Sequence, residues 1–298
     1  MKLPPDIRLR HATDIDMLAC RTMLPLAFTT SSAPAAVVAV QDGVTQGIAG
    51  CCAIAWANAP KPEAEPSGFP MQVYVVPTLR RRGIGQAMLH AAAEWCRTET
   101  TGLRTWLPVA DGSAEASFLT NSGFVLHHRT LHFETGLAQF HTIVDGLRQR
   151  LARSGRLPAN ARIVPLGIIP VWDVAVLVAP EFAAPHAEII RRLSPTAPDG
   201  FDLLRSVGLM DGPTLAGALI FTWNGGAVAI EVIVVAAPYR GGAANVLLLE
   251  AATRSAMDGG ASHFRFFCDE RIKDTIGLAR RAGALPIRIE GEYRRAFA

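Results

Sequence analysis

The sequence has few charged residues and no long hydrophobic run. Asp, Glu, Lys and Arg make up only 18% of the 298 residues, whereas apolar residues make up 50%. That balance excludes a mainly disordered chain, which is rich in charge and poor in apolar side chains. The richest apolar stretch, from Ala227 to Ala237, is interrupted by Glu231 and is too short to span a membrane. The N-terminus also lacks the apolar core of a signal peptide, so we expect a cytoplasmic protein.

Cysteine is scarce as well, and its spacing fits neither a disulfide framework nor a metal site. The five cysteines include no Cys-x-x-Cys pair, and an odd number is unusual for a disulfide framework. His128 and His132 share one face of a possible strand, yet no third ligand follows at the spacing of a metal site. The net charge of +3 is too small to imply nucleic acid or an anionic membrane as partner. We therefore expect no metal, no nucleic acid and no membrane.

The sequence does contain an internal repeat with an offset of 160 residues. Three separate pairs of segments align in this one register: 75–80 with 235–240, 88–92 with 248–252, and 121–123 with 281–283. The length also corresponds to two domains, at about 150 residues per domain. We interpret the chain as two copies of one fold joined head to tail.

Each copy alternates strands with helices, which predicts an α/β (α+β) domain with a mixed sheet. In the first copy we expect strands at 7–10, 35–40, 48–56, 71–76, 103–109 and 125–133, with helices at 13–24, after Gly85 and at 114–122. In the second we expect strands at 161–166, 202–210, 215–223, 228–235, 263–268 and 286–293, with helices at 172–182, 245–257 and 272–282. A helical stripe from Leu137 to Leu151 either bridges the copies or opens the second. We predict an N-terminal domain at 1–136, a connecting helix at 137–156 and a C-terminal domain at 157–298.

A loop rich in arginine and glycine joins a buried strand directly to a helix in the first copy. After the strand it reads Arg80-Arg81-Arg82-Gly83-Ile84-Gly85-Gln86. The unpaired N–H groups and the dipole of a helix N-terminus form an anion site. Gly83 and Gly85 lack the Cβ that would hold a phosphate away from the backbone, and the arginines can add charge-assisted contacts. The loop is neither a Walker loop nor a three-glycine dinucleotide loop. The alternative is a sharp turn with three solvated arginines.

The motif around this loop resembles motif A of the GNAT superfamily of N-acetyltransferases, which reads Val-x-Pro-x-x-Arg/Gln-x-x-Gly-x-Gly/Ala. It is matched by Val75, Pro77, Arg80, Gly83 and Gly85. The run Asn121-Ser122-Gly123-Phe124 is similar to the Gly-Phe that ends a later helix of the family. The resemblance covers essentially the whole chain as two copies, in the way of tandem GNAT proteins such as mycothiol synthase.

The resemblance implies an N-acetyltransferase that uses acetyl-CoA and transfers the acetyl group directly in a ternary complex. The pyrophosphate would lie on the backbone of residues 80–86, and the pantetheine arm would run beside the strand at 73–75 like an added strand. The residues implied to bind the co-substrate are Val73, Tyr74, Val75, Val76, Arg80, Arg81, Arg82, Gly83, Ile84, Gly85 and Gln86.

The second copy departs from the motif. At the offset of 160, Arg240 matches Arg80, but Ala243 and Asn245 replace the two glycines. If one loop residue is removed, Gly242 and Ala244 take those places instead, and the sequence leaves both registers open. We expect a weakened or lost co-substrate site in this copy.

The catalytic residues are less clearly marked. The family often uses a glutamate on the central strand as base; the first copy has Met71 there, and the second has Glu231. Glu231 is therefore our candidate base, the alternative being a structural glutamate paired with an arginine. The tyrosine that usually serves as acid is replaced by Leu119 and Ala279.

Gln72 and Tyr74 are the other polar candidates, because they lie on the central strand of the first copy. Tyr74 could act as the acid, although a tyrosine on a central strand is more often a packing residue. We expect the acceptor to be a primary amine of a small molecule or peptide, in a cleft shaped by Arg21, Phe28, Thr29 and Thr30. An excess of arginine there would suit an acceptor with a carboxylate. The protein is expected to be a monomer or homodimer, and the alternative function is a non-catalytic acyl-CoA-binding regulator.

Overall fold

The computed structural model describes residues 3–28, 35–44, 47–54, 68–182, 186–194, 196–197, 200–224 and 226–297. Thr29, Thr30, the side chain of Phe28 and the loop at 60–66 lie outside this description. The chain forms two compact units. Unit 1 contains Met1–Thr130 and Ile289–Ala298, and unit 2 contains Leu131–Arg288. The predicted boundaries of the two domains stay a prediction.

Unit 1 alternates strands and helices as the sequence predicts. Its elements are β1 (Ile7–His11), α1 (Met17–Met23), β2 (Ala35–Gln41), β3 (Ile48–Ile54), β4 (Phe69–Val75), α2 (Ile84–Cys96), β5 (Gly102–Thr105), β6 (Val109–Ala110), α3 (Ala114–Asn121) and the first part of β7 (Val125–Gly136). β1 to β4 pair antiparallel in chain order, and β4 pairs parallel with β5. The sheet is therefore mixed.

Alternating side chains bury both faces of the sheet in unit 1. Met88 and Leu89 of α2 pack on one face, which includes Val37. Cys20 of α1 packs on the other, which includes Val38. Because successive residues of a strand point to opposite faces, the continuous apolar runs in β2 and β3 fit a sheet covered on both sides.

Unit 2 repeats this order. Its elements are the rest of β7, then α4 (Leu137–Arg153), β8 (Ala161–Pro165), α5 (Val171–Phe182), α6 (His186–Arg192), β9 (Val207–Asp211), β10 (Thr214–Asn224), β11 (Ala227–Val235), α7 (Ala244–Asp258), β12 (His263–Asp269), α8 (Lys273–Arg281) and the beginning of β13 (Leu285–Ala296). β8 to β11 pair antiparallel in chain order, and β11 pairs parallel with β12. The helix at 137–153 belongs to unit 2, where its residues Phe140 and Val144 enter the core that contains Leu248 of α7.

Two predicted strands begin or end elsewhere, for local reasons. The strand expected at 103–109 stops at Thr105, before Pro108, which has no N–H to donate to a ladder. The strand expected at 202–210 starts only at Val207. Asp202 makes a turn there, because its Oδ1 accepts from the N–H of Arg205 and its carbonyl accepts from the N–H of Ser206. The sequence analysis also missed α6.

Candidate active site

In its last residues the central strand of unit 1 has an edge that pairs with no strand of the described part of the chain. β4 and β5 are in register only from Phe69 opposite Leu103 to Met71 opposite Thr105. The N–H of Trp106 then donates to the carbonyl of Met71 at 3.0 Å, whereas the N–H of Val76 donates in the other direction, to β3. Because backbone groups alternate along a strand, the N–H groups of Val73 and Val75 face the side where β5 no longer pairs. An extended chain can add to such an edge.

The loop after β4 exposes a row of backbone donors. Arg81 and Gly83 have φ angles of 63° and 79°, in the left-handed region. The N–H of Ala87 is the first to join the helical ladder, through a 3.0 Å bond to the carbonyl of Gly83. Within the described part of the chain, no hydrogen bond is donated by the N–H groups of residues 81–86. This is the geometry of an anion site at a helix N-terminus.

The three arginines of the loop differ in what they contact. Arg80 Nε donates to the carbonyl of Val75 at 3.0 Å, so this side chain turns back onto the strand. Arg82 donates to Asp6 at 3.0 Å. Arg81 is exposed and contacts no acceptor among the described residues, which leaves its guanidinium available to an anion at the loop.

Gly85 has a packing role that the sequence analysis did not identify. A Cβ on Gly85 would lie 3.3 Å from Cγ2 of Val75 and 3.4 Å from Cε2 of Phe118. A larger residue at this position would therefore require the side chains of Val75 and Phe118 to move by a few tenths of an ångström. Gly83, by contrast, is required by its positive φ.

The corresponding loop of unit 2 resolves the register that the sequence left open. Arg240 Nε donates to the carbonyl of Val235 at 3.0 Å, the counterpart of Arg80 and Val75. The first helical N–H, that of Leu247, donates to the carbonyl of Ala243. The offset of 160 thus holds through the loop, and Ala243 and Asn245 occupy the two glycine positions. Ala243 has a φ of −76°, so the helix begins with a different backbone conformation from that in unit 1.

Gln72 and Tyr74 lie on the face of β4 that α1 covers. Tyr74 packs against the cluster that contains Cys20 and Cys51, and the guanidinium of Arg80 lies 5.6 Å from the centre of its ring. Gln72 has a buried Oε1 that accepts no hydrogen bond from any residue the structure describes. Arg21 is exposed in the last turn of α1. Gln72 and Tyr74 are thus brought together with the loop in unit 1.

Glu231 lies in unit 2, at an irregularity of β11. Ile220 pairs with Val232 and Phe221 with Ile230, so Glu231 is the extra residue of a β-bulge. Its Oε1 accepts a 2.8 Å hydrogen bond from Thr222, and its Oε2 lies 3.9 Å from Arg192. The carboxylate therefore has both a polar partner and a cationic neighbour.

The sequence contains five cysteines. All five are free and buried. Burial raises the pKa of the Cys52 thiol to about 12 and that of the Cys96 thiol to about 11. In the described residues no group of three His, Cys, Asp or Glu could hold a metal ion. Within the same ranges, no helix combines the length and the apolar character that crossing a membrane requires.

Comparison with known proteins finds a family match within unit 1. Residues 11–124 match the model of the acetyltransferase (GNAT) family. This segment of unit 1 is thus assigned to the GNAT acetyltransferase family. The enzyme class is that of an acyltransferase, as the sequence predicts. No curated protein matches the sequence.

Solved structures extend the GNAT fold over the whole length. A GNAT N-acetyltransferase from Sphaerobacter thermophilus is 13% identical with a TM-score of 0.60, and the match covers 99% of this chain and 97% of that one. A tandem GNAT protein from the clavulanic acid biosynthesis pathway is 18% identical with a TM-score of 0.57, covering 97% and 98%. A probable N-acyltransferase from Enterococcus faecalis V583 is 10% identical with a TM-score of 0.64, covering 97% and 72%. The predicted fold class, two GNAT-type α/β domains in tandem, is confirmed.

Proposed function

We propose that this protein transfers the acetyl group of acetyl-CoA to a primary amine of a small molecule or peptide in a ternary complex, with acetyl-CoA bound by unit 1. The observation that carries the proposal is the row of N–H groups at residues 81–86 beside the open edge of β4. The N–H groups of residues 81–86 can donate to a diphosphate. The open edge of β4 can pair with an extended arm that contains amides. Coenzyme A carries both groups.

The chain has groups of the right chemistry for each part of the co-substrate. The N–H groups from Arg81 to Gln86 and the exposed guanidinium of Arg81 would hold the pyrophosphate. The backbone groups of Val73 and the N–H of Val75 would pair with the pantetheine amides. The carbonyl of Val75 already accepts from Arg80, so it is not counted among them.

Acetyl transfer then needs a neutral amine, a polarised thioester and a proton for the departing sulfur. The amine nitrogen forms the new C–N bond as the C–S bond breaks, the nitrogen loses one proton, and the thiolate gains one. Holding both reactants in one complex supplies much of the acceleration. Gln72 Oε1, which has no donor in the described residues, would accept a hydrogen bond from the amine. Tyr74, next to the open edge, would donate the proton to sulfur.

We also propose Glu231 as a general base. It lies on a bulge, a feature that redirects a side chain. Its Oε2 accepts no hydrogen bond within the described residues and lies 3.9 Å from the guanidinium of Arg192. Its counterpart in unit 1 is Met71, which is buried and cannot take a proton. The role of Glu231 can be tested without reference to the loop at 80–86.

The deciding experiment is calorimetric titration of the full chain with CoA, followed by measurement of thiol release from acetyl-CoA over a panel of amines. We expect binding, and release that depends on the amine. Tyr74→Phe should lower kcat by about tenfold or more while the affinity for CoA is retained, because the ring still packs. Absence of CoA binding would refute the proposal. Binding without release for any amine would instead indicate a regulator that senses acyl-CoA.

A further inference from the structure

Two half-buried polar side chains of unit 1 each have one buried atom that lacks a hydrogen bond within the described residues. Gln72 Oε1 on β4 and Arg104 Nε on β5 have no partner among the described residues. Buried polar atoms are satisfied in the great majority of cases, and an unsatisfied one is costly. An acceptor and a donor left open on adjacent strands are the features expected of a site that a ligand completes.

The strand register places these two side chains on one face of the sheet. Arg104 is opposite Pro70, and Gln72 lies two residues further along β4, on the same face as Pro70. On the other side of β5, Arg294 of β13 is directly opposite Arg104. Three neighbouring strands thus present Gln72, Arg104 and Arg294 side by side. Gln72 is also where the open edge of β4 begins.

Within the described residues, Arg104 is the arginine of this row whose buried Nε makes no hydrogen bond. Two arginines directly opposite each other repel. Arg294 is neutralised by Glu292, whose Oε1 accepts from its Nε at 2.6 Å. Arg104 makes no hydrogen bond in the described residues, and desolvation by burial lowers the pKa of its guanidinium. Glu292 also lies near enough to Arg104 to raise its pKa, but it makes no hydrogen bond to it. A carboxylate ligand would supply both an opposite charge and a pair of acceptors that matches the forked geometry of arginine.

We propose that Arg104 and Gln72 bind the acetyl acceptor and that this acceptor is an amino acid with a free carboxylate. Arg104 takes the carboxylate, and Gln72 Oε1 accepts a hydrogen bond from the amine that is acetylated. The inference rests on the proposed function, since it names the acceptor class of the same reaction. It also accounts for two unsatisfied atoms with one ligand, whose amine and carboxylate are a few bonds apart.

The test compares each common amino acid with its own carboxamide, which keeps the amine and removes the negative charge. With acetyl-CoA and the full-length protein, we expect kcat/KM to be about 10- to 100-fold higher for the preferred amino acid than for its carboxamide. Arg104→Gln should abolish this preference, and Arg104→Lys should keep part of it. Arg8→Gln, which removes an exposed arginine of β1, is the matched control and should leave the ratio unchanged.

A second variant separates recognition from folding. Gln72→Leu removes the unsatisfied acceptor, so we expect a melting temperature that is unchanged or higher together with a KM for the amino acid about tenfold higher. Equal use of acids and carboxamides by the wild type, or a preference that survives Arg104→Gln, would overturn the inference.

Binding without turnover distinguishes this inference from the proposed function. Calorimetric titration with the same amino acids, in the presence and absence of CoA, measures their affinity for the protein without requiring turnover. If CoA binds and no amino acid does, the acceptor class is wrong and the proposed co-substrate stands. If an amino acid binds in a manner that depends on Arg104 while CoA does not bind, the acetyl-CoA proposal fails and the carboxylate site stands.

Discussion

Arg80 donates a 3.0 Å hydrogen bond from Nε to the carbonyl oxygen of Val75, and Arg240 makes the same bond to Val235 in the second copy. The first arginine of the motif therefore stabilises the turn between the central strand and the loop that follows it. It also occupies the last carbonyl of the open edge, so that an added strand must pair with Val73 and the N–H of Val75. The shape of the loop and the edge available to a ligand are thus set by one side chain.

Arg80→Ala should weaken CoA binding by about fivefold, because the turn loses one hydrogen bond worth about 1 kcal/mol. Arg80→Gln should lose less affinity for CoA, since its amide can still donate to the carbonyl of Val75. Calorimetric titration with CoA measures both. Arg240→Ala breaks the equivalent contact in unit 2 and serves as control; an equal loss in that variant would contradict the placement of CoA in unit 1.

Gly85→Glu should abolish CoA binding, since it places bulk and negative charge at the predicted pyrophosphate. Packing and charge have to be separated, because even a Cβ at this position lies 3.3 Å from Val75. Gly85→Ala tests the added Cβ, and Gly85→Gln adds nearly the volume of glutamate without its charge. We expect CoA affinity to fall from Ala to Gln to Glu in titrations, with melting temperatures recorded alongside. Undiminished affinity in Gly85→Glu would refute the phosphate site.

Glu231→Gln should lower kcat at neutral pH by about 100-fold if the carboxylate is a general base, because an amide cannot take a proton. The hydrogen bond from Thr222 can be retained by the amide oxygen, so the bulge should persist. The profile of kcat against pH is the measurement, and Thr222→Val is the control that removes the hydrogen bond but keeps the carboxylate. An unchanged kcat would assign Glu231 to a structural pair with Arg192.

Asp16→Asn should destabilise the protein by about 1–3 kcal/mol at pH 7, through the loss of a buried carboxylate partner. Arg10 donates to both oxygens of Asp16, at 2.5 and 2.9 Å, and the N–H of Thr13 adds a third bond at 2.7 Å. The hydrogen bonds from Arg10 are the main reason that the pKa of this carboxyl lies well below its usual range.

The pH dependence follows from the sign of that shift. A lowered pKa in the folded state adds stability above the unfolded pKa of about 3.9, and this stability is lost as the pH falls toward the folded value. Denaturant midpoints of the wild type and Asp16→Asn should therefore differ at pH 7 and converge in strong acid. Asp14→Asn, at an exposed position two residues earlier, is the control and should show little difference at either pH.

The strand, loop and helix around Gly83 could be predicted from the sequence because their signals are local. Val75, Pro77, Arg80 and the two glycines lie within eleven residues, and each has a conformational or chemical reason for its place. The repeat could be recognised for the same reason. The register of the second loop could not, because Gly242 and Ala244 match the motif if one loop residue is removed, whereas Ala243 and Asn245 keep the offset of 160. Only the backbone bonds that begin α7 distinguish the two.

The polar row of Gln72, Arg104 and Arg294 could not be predicted either. It depends on β4 pairing parallel with β5 and on β13, nearly two hundred residues later, pairing with the other edge of β5. Local spacing carries no information on such pairings. The arginines near Arg21 led us to expect an acceptor with a carboxylate. In the proposed site, that carboxylate is bound by Arg104 instead.

Unit 1 is discontinuous in the chain, since Ile289–Ala298 belongs to it. Tyr293 lies in its core at 5% exposure, and Arg294 to Ala296 form its pairing with β5. During translation the ribosome must therefore make all of unit 2 before this core can be completed. A fragment that ends at residue 136 would lack Tyr293 in its core and would leave the edge of β5 unpaired. The first copy therefore cannot be expressed alone by simple truncation.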